Sequence, residues 1–92
     1  MRPVLHGDIS ASACVLYLVP PAERGRVLRD MLAEADLADQ FRRRTGKGHP
    51  LWGDGSLMSV ALARPYAREP VLDNPDYAAC MAMIFEALVD RA

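Results

Sequence analysis

The residues of this sequence best suited to binding chemistry lie between positions 42 and 52. Four cations and no acid occur between residues 41 and 49, and a histidine and the only tryptophan follow closely. Guanidinium and ammonium groups bind phosphates and carboxylates, and Trp and Arg often dominate protein interfaces. We call this predicted partner-binding group the basic corner; it consists of Arg42, Arg43, Arg44, Lys47, His49 and Trp52.

The basic corner has three interpretations. Its cations can form a solvated last turn of a helix, where they complement the helix dipole and pair with Asp36 and Asp39. They can also contact an acidic protein surface, or the phosphates of a nucleic acid with salt-sensitive affinity. Nucleic-acid binders usually have a wider basic face, and the net charge of this chain is −1. The solvated interpretation is therefore favoured, with a protein partner next and nucleic acid last.

Trp52 and an acidic segment near residue 75 each have two interpretations. Trp52 lies in the Gly- and Pro-rich stretch GHPLWGDG, where it can either plug the end of a helical core or anchor a partner. The core plug is favoured. Asp73, Asp76 and Tyr77 could contact a basic partner, although helix capping explains both acids without one.

No pattern in the sequence matches a known catalytic or metal-binding arrangement. His6 and His49 are the only histidines, and neither belongs to an H-x-x-x-H or H-E-x-x-H pattern. The turn at Ser56 lacks the G-x-S-x-G spacing of a nucleophile elbow, and the phosphate-loop pattern is absent. We therefore predict a protein that is not an enzyme and that uses neither metal nor cofactor.

The two cysteines are predicted to be buried free thiols. Cys14 and Cys80 are far apart in sequence, both lie in apolar segments, and no C-x-x-C pair occurs. Free cysteine commonly behaves as a small hydrophobic residue. A disulfide or a metal site is the less favoured alternative.

Length and composition predict one small helical domain spanning residues 1–92. The chain is 51% hydrophobic and 25% charged, as in an ordinary globular protein. A domain of this size buries a modest fraction of its surface, so self-association or a protein partner would help to stabilise it. The apolar run at residues 14–19 is too short to span a membrane, and no cleavable leader is evident. We expect a cytoplasmic protein without membrane contact.

Helix signals divide the chain into four segments. Asp8 is the predicted cap of the first helix, which Pro20 and Pro21 should end. The second helix should run from Pro21 to about Thr45, with Gly46 as its stop. Its predicted core stripe contains Leu28, Met31, Leu32, Ala35, Ala38 and Phe41. Opposite this stripe, Arg26 with Asp30 and Asp39 with Arg43 are expected to form exposed pairs.

The last two helices complete an all-α prediction. Asp54 is the predicted cap of a short third helix, which Pro65 should end. Asp73 or Asn74 should cap the fourth, with Pro75 in its first turn. The predicted core residues of these two helices include Leu57, Met58, Val60, Ala61, Leu62, Tyr77, Cys80, Met81, Ile84, Phe85 and Leu88. We expect a small four-helix bundle-like domain in which two shorter helices cover two longer ones.

Three segments resemble a known family over nearly the whole chain. They read HGDISA near the start, RRTGKGHPLWGDGSLM at residues 43–58 and PVLDNPDYAAC at residues 70–80. The chain resembles a family of short uncharacterised alphaproteobacterial proteins that is associated with gene-transfer-agent or phage-like packaging genes. This resemblance implies a helical oligomeric adaptor similar to a small terminase subunit, in which Arg42 to Lys47 would meet DNA or a motor protein. A small-ligand binder is a further alternative.

Overall fold

The computed structural model describes residues 1–91, and within them it contains four α-helices and no β-strand. The helices are α1 (His6–Leu18), α2 (Arg24–Thr45), α3 (Leu57–Leu62) and α4 (Pro75–Arg91), with a 3-10 turn at Pro21–Glu23 before α2. The predicted all-α fold with two longer and two shorter helices is confirmed. None of the helices in this part of the chain combines the length and apolar composition needed to cross a membrane.

Proline, glycine and asparagine end or begin the helices as predicted. α1 stops at Leu18, just before the proline pair, because proline has no N–H to continue the hydrogen-bond ladder. Gly46 takes a left-handed conformation, with φ of 75°, at the end of α2. The side-chain oxygen of Asn74 accepts hydrogen bonds from the backbone N–H groups of Asp76 and Tyr77. Asn74 therefore caps α4.

The predicted caps of α1 and α3 were wrong by two or three positions. α1 begins at His6, and the Asp8 carboxylate accepts from the N–H of Leu5 at 2.7 Å and from the N–H of Met58 at 2.8 Å. Ser56, not Asp54, caps α3. Asp54 instead accepts from the N–H of Ser56 at 2.9 Å in the preceding turn. Short acidic side chains can satisfy N–H groups at several offsets, so composition alone does not fix the capping position.

The centre of the domain is α1, although it is one of the shorter helices. It contacts α2, α3 and α4, and its charged residue Asp8 lies in the first turn, which leaves the rest of the helix free to be buried. This differs from the expected arrangement, in which shorter helices cover longer ones. The largest buried side chains around α1 are Leu16, Met31, Leu57, Val60, Tyr77 and Ile84.

Arg24 joins three helices at one point. Its Nε donates to the carbonyl oxygens of Leu16 at 2.8 Å and Val19 at 2.9 Å at the C-terminus of α1, where the Leu16 carbonyl also accepts from the N–H of Val19. Its two terminal nitrogens donate to the carboxylate of Asp76 in α4 at 2.7 and 3.0 Å. The Arg24 guanidinium lowers the pKa of Asp76. A buried arginine thus caps one helix and ties the starts of two others together.

A second ion pair fixes the relative direction of α2 and α4. Arg91, at the end of α4, contacts Asp36 in the second half of α2 at 2.7 Å. Arg24 and Asp76 already hold the starts of these helices together. The two helices therefore point in the same direction, and α1 packs against both of them.

Both cysteines are buried free thiols, as predicted. Burial raises the pKa of each thiol, which disfavours the reactive thiolate. The thiol of Cys14 lies 4.0 Å from the hydroxyl of Tyr77. The cysteines therefore contribute to packing in this fold.

Candidate functional site

The aromatic part of the basic corner is held together by His49. The His49 ring stacks on Trp52, with centroids 4.6 Å apart, and meets Phe41 edge-on at 5.1 Å. Its Nδ1 accepts from the backbone N–H groups of Leu51 and Trp52 at 3.1 and 3.2 Å. Trp52 is half-buried and packs against the core. Its ring thus supports the core at one side and remains partly accessible at the other.

The cationic part of the basic corner is divided by Asp39. Arg42 and Arg43 contact the Asp39 carboxylate at 2.8 and 3.1 Å, and the Arg42 hydrogen bond lowers the pKa of Asp39. Asp39 also lies 3.3 Å from the α-amino group of Met1, and its side chain is only 3% exposed. The prediction of an exposed Asp39–Arg43 pair was therefore wrong. The expected pair of Arg26 with Asp30 is exposed, as predicted.

Arg44 and Lys47 differ from their two neighbours. Both side chains are exposed, and neither forms an ion pair with any residue in the 1–91 range. Asp36, which was expected to pair with this cluster, contacts Arg91 instead. Arg44 and Lys47 are therefore the cations of the basic corner most available to a partner.

A second candidate surface consists of large hydrophobic side chains on the outside of the domain. We call it the apolar band. It consists of Leu5, Met58, Leu62, Tyr66, Phe85 and Val89, all of which are exposed. Leu5 and Val89 are 70% and 73% exposed. Three separate parts of the chain contribute: the segment before α1, the α3 region and α4.

Shared residues join the surface grooves of the apolar band into one continuous depression. A groove of about 450 Å³ lies between Leu5 and Met58, and a groove of about 280 Å³ lies between Leu5 and Phe85. Phe85 continues into a third groove with Val89. Met58 continues in the other direction into a fourth groove with Leu62 and Tyr66. The band therefore crosses the domain from α3 to the end of α4.

The composition of α4 explains why one end of the band is exposed. In this 17-residue helix the only charged residues are Asp76, Glu86, Asp90 and Arg91. Tyr77, Cys80 and Ile84 fill the buried face, so further apolar residues must point outward. A helix that is apolar nearly all round is usually covered on all sides. This was the sequence signal for the band, and it was missed.

Several residues predicted for the core belong to the exposed band or its margins. Met58, Leu62 and Phe85 were assigned to core faces, but their side chains are 37%, 51% and 52% exposed. Phe41 is half-buried against His49. The helical period correctly predicted that these residues lie in helices. The apolar face that it predicted is wider than the neighbouring helices can cover. The basic corner contributes none of the residues that define the band.

The sequence of this chain matches a family model over most of its length. The family model described as "Domain of unknown function (DUF7742)" matches residues 2–88. The chain belongs to the DUF7742 family. This membership confirms the expectation of an uncharacterised family. No curated protein and no solved structure matches this DUF7742 chain.

Charged residues lie at three places along the apolar band of this DUF7742 chain. The Arg2–Asp54 ion pair lies beside Leu5, Glu86 and Asp90 lie beside Val89, and Arg68 and Glu69 line the groove that contains Tyr66. Hydrogen bonds from Ser56 lower the pKa of Asp54 to about 2, so Asp54 remains ionised at neutral pH. Within residues 1–91, no three His, Cys, Asp or Glu side chains are grouped to hold a metal ion.

Proposed function

We propose that this protein is a non-enzymatic protein-interaction module and that the apolar band is its contact surface. The observation that supports this proposal is the continuity of the band, since four grooves share Leu5, Met58 and Phe85 as common walls. Scattered exposed hydrophobic residues are ordinary on protein surfaces, whereas a contiguous apolar surface is typical of a binding site.

The energetics of the band agree with this role. Burial of apolar surface stabilises a complex by roughly 25 cal/mol for each Å² removed from water. Tyr66 and Phe85 provide aromatic anchors at opposite ends of the band, and aromatic side chains are enriched in interfaces. Ion pairs and single charges at its margins would form the polar rim.

The proposal predicts that an acidic residue in the band abolishes partner binding. We expect Leu5→Asp and Phe85→Asp to reduce capture of the bound proteins by at least roughly ten-fold in a pull-down, because a carboxylate would be buried in an apolar contact. Both side chains are exposed in the isolated domain, so helical content measured by circular dichroism should not change.

Leu37→Asp is the matched control for this experiment. Leu37 is 50% exposed on α2 and lies outside the band, so this variant should capture the same proteins as the wild type. Identical capture by wild type, Leu5→Asp and Phe85→Asp would contradict the proposed function.

A second candidate function is a nucleic-acid or packaging adaptor that binds through the basic corner. It is favoured by the exposed, unpaired positions of Arg44 and Lys47, and by the resemblance to proteins associated with gene-transfer-agent genes. The small-ligand alternative stays a prediction, to be checked by quenching of Trp52 fluorescence with a metabolite panel. The cytoplasmic location also stays a prediction.

The adaptor function predicts DNA binding that depends on two residues. We expect Arg44→Glu/Lys47→Glu to weaken DNA binding. The steepness with which the logarithm of the association constant falls with the logarithm of the salt concentration should decrease by about 2, one for each lost phosphate contact. Electrophoretic mobility shifts at several salt concentrations measure this slope. Arg26→Glu, an exposed position distant in sequence from the corner, should leave it unchanged. Absence of any shift of wild-type protein at low salt would exclude this candidate.

A further inference from the structure

Charged side chains line the grooves at both ends of the apolar band. Glu86 and Asp90 line the groove at the α4 end, and Arg68 lines the groove that contains Tyr66 at the other end. None of these three side chains forms an ion pair with another residue in the described part of the chain. Glu69, beside Arg68, accepts a hydrogen bond from the hydroxyl of Tyr77 at 3.4 Å. The α4 end of the band thus carries two acids, whereas the other end carries the cation of Arg68 together with the acid Glu69.

The middle of the band has a projecting side chain next to two hollows. Leu5 is 70% exposed and forms the wall between the groove of about 450 Å³ and the groove of about 280 Å³. A projection and a matching hollow on the same surface can interlock with a rotated copy of that surface. A second copy of this surface, rotated by 180°, could therefore place its Leu5 in a groove beside Leu5 of the first copy.

We infer that the partner of the apolar band is a second copy of this chain, bound about a two-fold axis that passes near Leu5. This inference rests on the proposed function of the band. A two-fold axis places each end of a surface over the opposite end of the other copy. Glu86 and Asp90 of each copy would then face Arg68 of the other, and each Leu5 would enter a groove of the other.

Charge complementarity is the reason for preferring a second copy to an unrelated protein. An unrelated partner would require only an apolar surface opposite the band. The same band in reversed orientation places Arg68 of one copy opposite Glu86 and Asp90 of the other, which gives each of these groups an ion-pair partner. A 92-residue domain also leaves much of its apolar surface exposed when alone, so self-association would cover what its own core cannot.

A charge-swap experiment tests this arrangement. Sedimentation velocity should show a concentration-dependent dimer for the wild type. We expect Arg68→Glu alone and Glu86→Arg/Asp90→Arg alone to raise the dimer dissociation constant at least roughly ten-fold, because each brings like charges together twice. An equimolar mixture of the two variants should recover dimers, since opposite charges then face each other at both ends of the heterodimer.

Two further variants complete the design. Leu5→Asp should be monomeric. If a charge variant loses helical content in circular dichroism, the oligomeric state of Leu5→Asp still tests whether the band forms the dimer. Leu37→Asp, outside the band, should dimerise as the wild type does.

A wild type that stays monomeric at all concentrations would overturn the dimer. The proposed function would then still be decided by whether Leu5→Asp loses partners in the pull-down. Folded single variants that fail to recover dimers on mixing would overturn the reversed two-fold arrangement.

Discussion

Replacement of Arg24 with methionine is expected to lower the free energy of unfolding by about 3 kcal/mol. The Arg24 side chain is 7% exposed and donates to the carbonyls of Leu16 and Val19 as well as to Asp76. Methionine fills a similar volume but donates no hydrogen bond. The substitution would remove the side-chain hydrogen bonds at the C-terminus of α1 and the ion pair that joins the starts of α2 and α4.

Urea denaturation followed by circular dichroism measures this effect. Arg26→Met is the matched control, because Arg26 is 59% exposed and its contacts with Glu23 and Asp30 are both as long as 3.7 Å; we expect a loss below about 1 kcal/mol. Arg24→Lys should recover only part of the stability, since an ammonium group lacks the fork that reaches carboxylate and carbonyls together. Equal losses of unfolding free energy for Arg24→Met and Arg26→Met would contradict the proposal that Arg24 holds α1, α2 and α4 together.

Acid should reduce the difference between wild type and Arg24→Met. The pKa of Asp76 is lowered by Arg24 from its ordinary value of 3.8. The stability from this pair is therefore fully present above the unfolded pKa and is lost as the pH falls through the lower folded value. Denaturation curves between pH 6 and pH 2 should draw closer for the two proteins only at the acidic end, and the part of the difference that comes from the hydrogen bonds to Leu16 and Val19 should remain.

The ends of α1 and α2 and the start of α4 could be predicted from sequence because local chemistry sets them. Pro20 cannot donate an N–H, Gly46 has no Cβ to oppose a positive φ, and Asn74 accepts from the free N–H groups that follow it. None of these effects needs a distant partner. The same locality explains why the basic corner was visible in the sequence, since its residues are nearly consecutive.

The surroundings of each helix face could not be predicted from local patterns. The helical period of α3 and α4 marks Met58 and Phe85 as apolar-face residues, but exposure depends on which helices lie opposite. The apolar band joins residue 5, residues 58–66 and residues 85–89, which only the packing of α1 between α3 and α4 brings together. The burial of Asp39 likewise depends on a loop far along the chain.

Gly55 is the part of that loop which packs on Asp39, and Gly55→Ala is expected to lower the free energy of unfolding by about 3–4 kcal/mol. The φ of Gly55 is 91°, a conformation that side chains with a Cβ rarely adopt. An added Cβ would also lie 2.7 Å from both Cα and Cβ of Asp39. Backbone strain and an overlap with the backbone of α2 would therefore add together, since a helix cannot shift as a flexible side chain can.

Gly46→Ala separates these two contributions. Gly46 has a φ of 75°, but an added Cβ meets nothing within 4 Å, so we expect only the conformational loss of about 1 kcal/mol. The midpoints of urea denaturation compare the two variants, and equal losses would show that the contact with Asp39 is unimportant. A larger loss for Gly55→Ala would show that the loop packs tightly against the backbone of α2 at Asp39, where only a residue without a side chain fits.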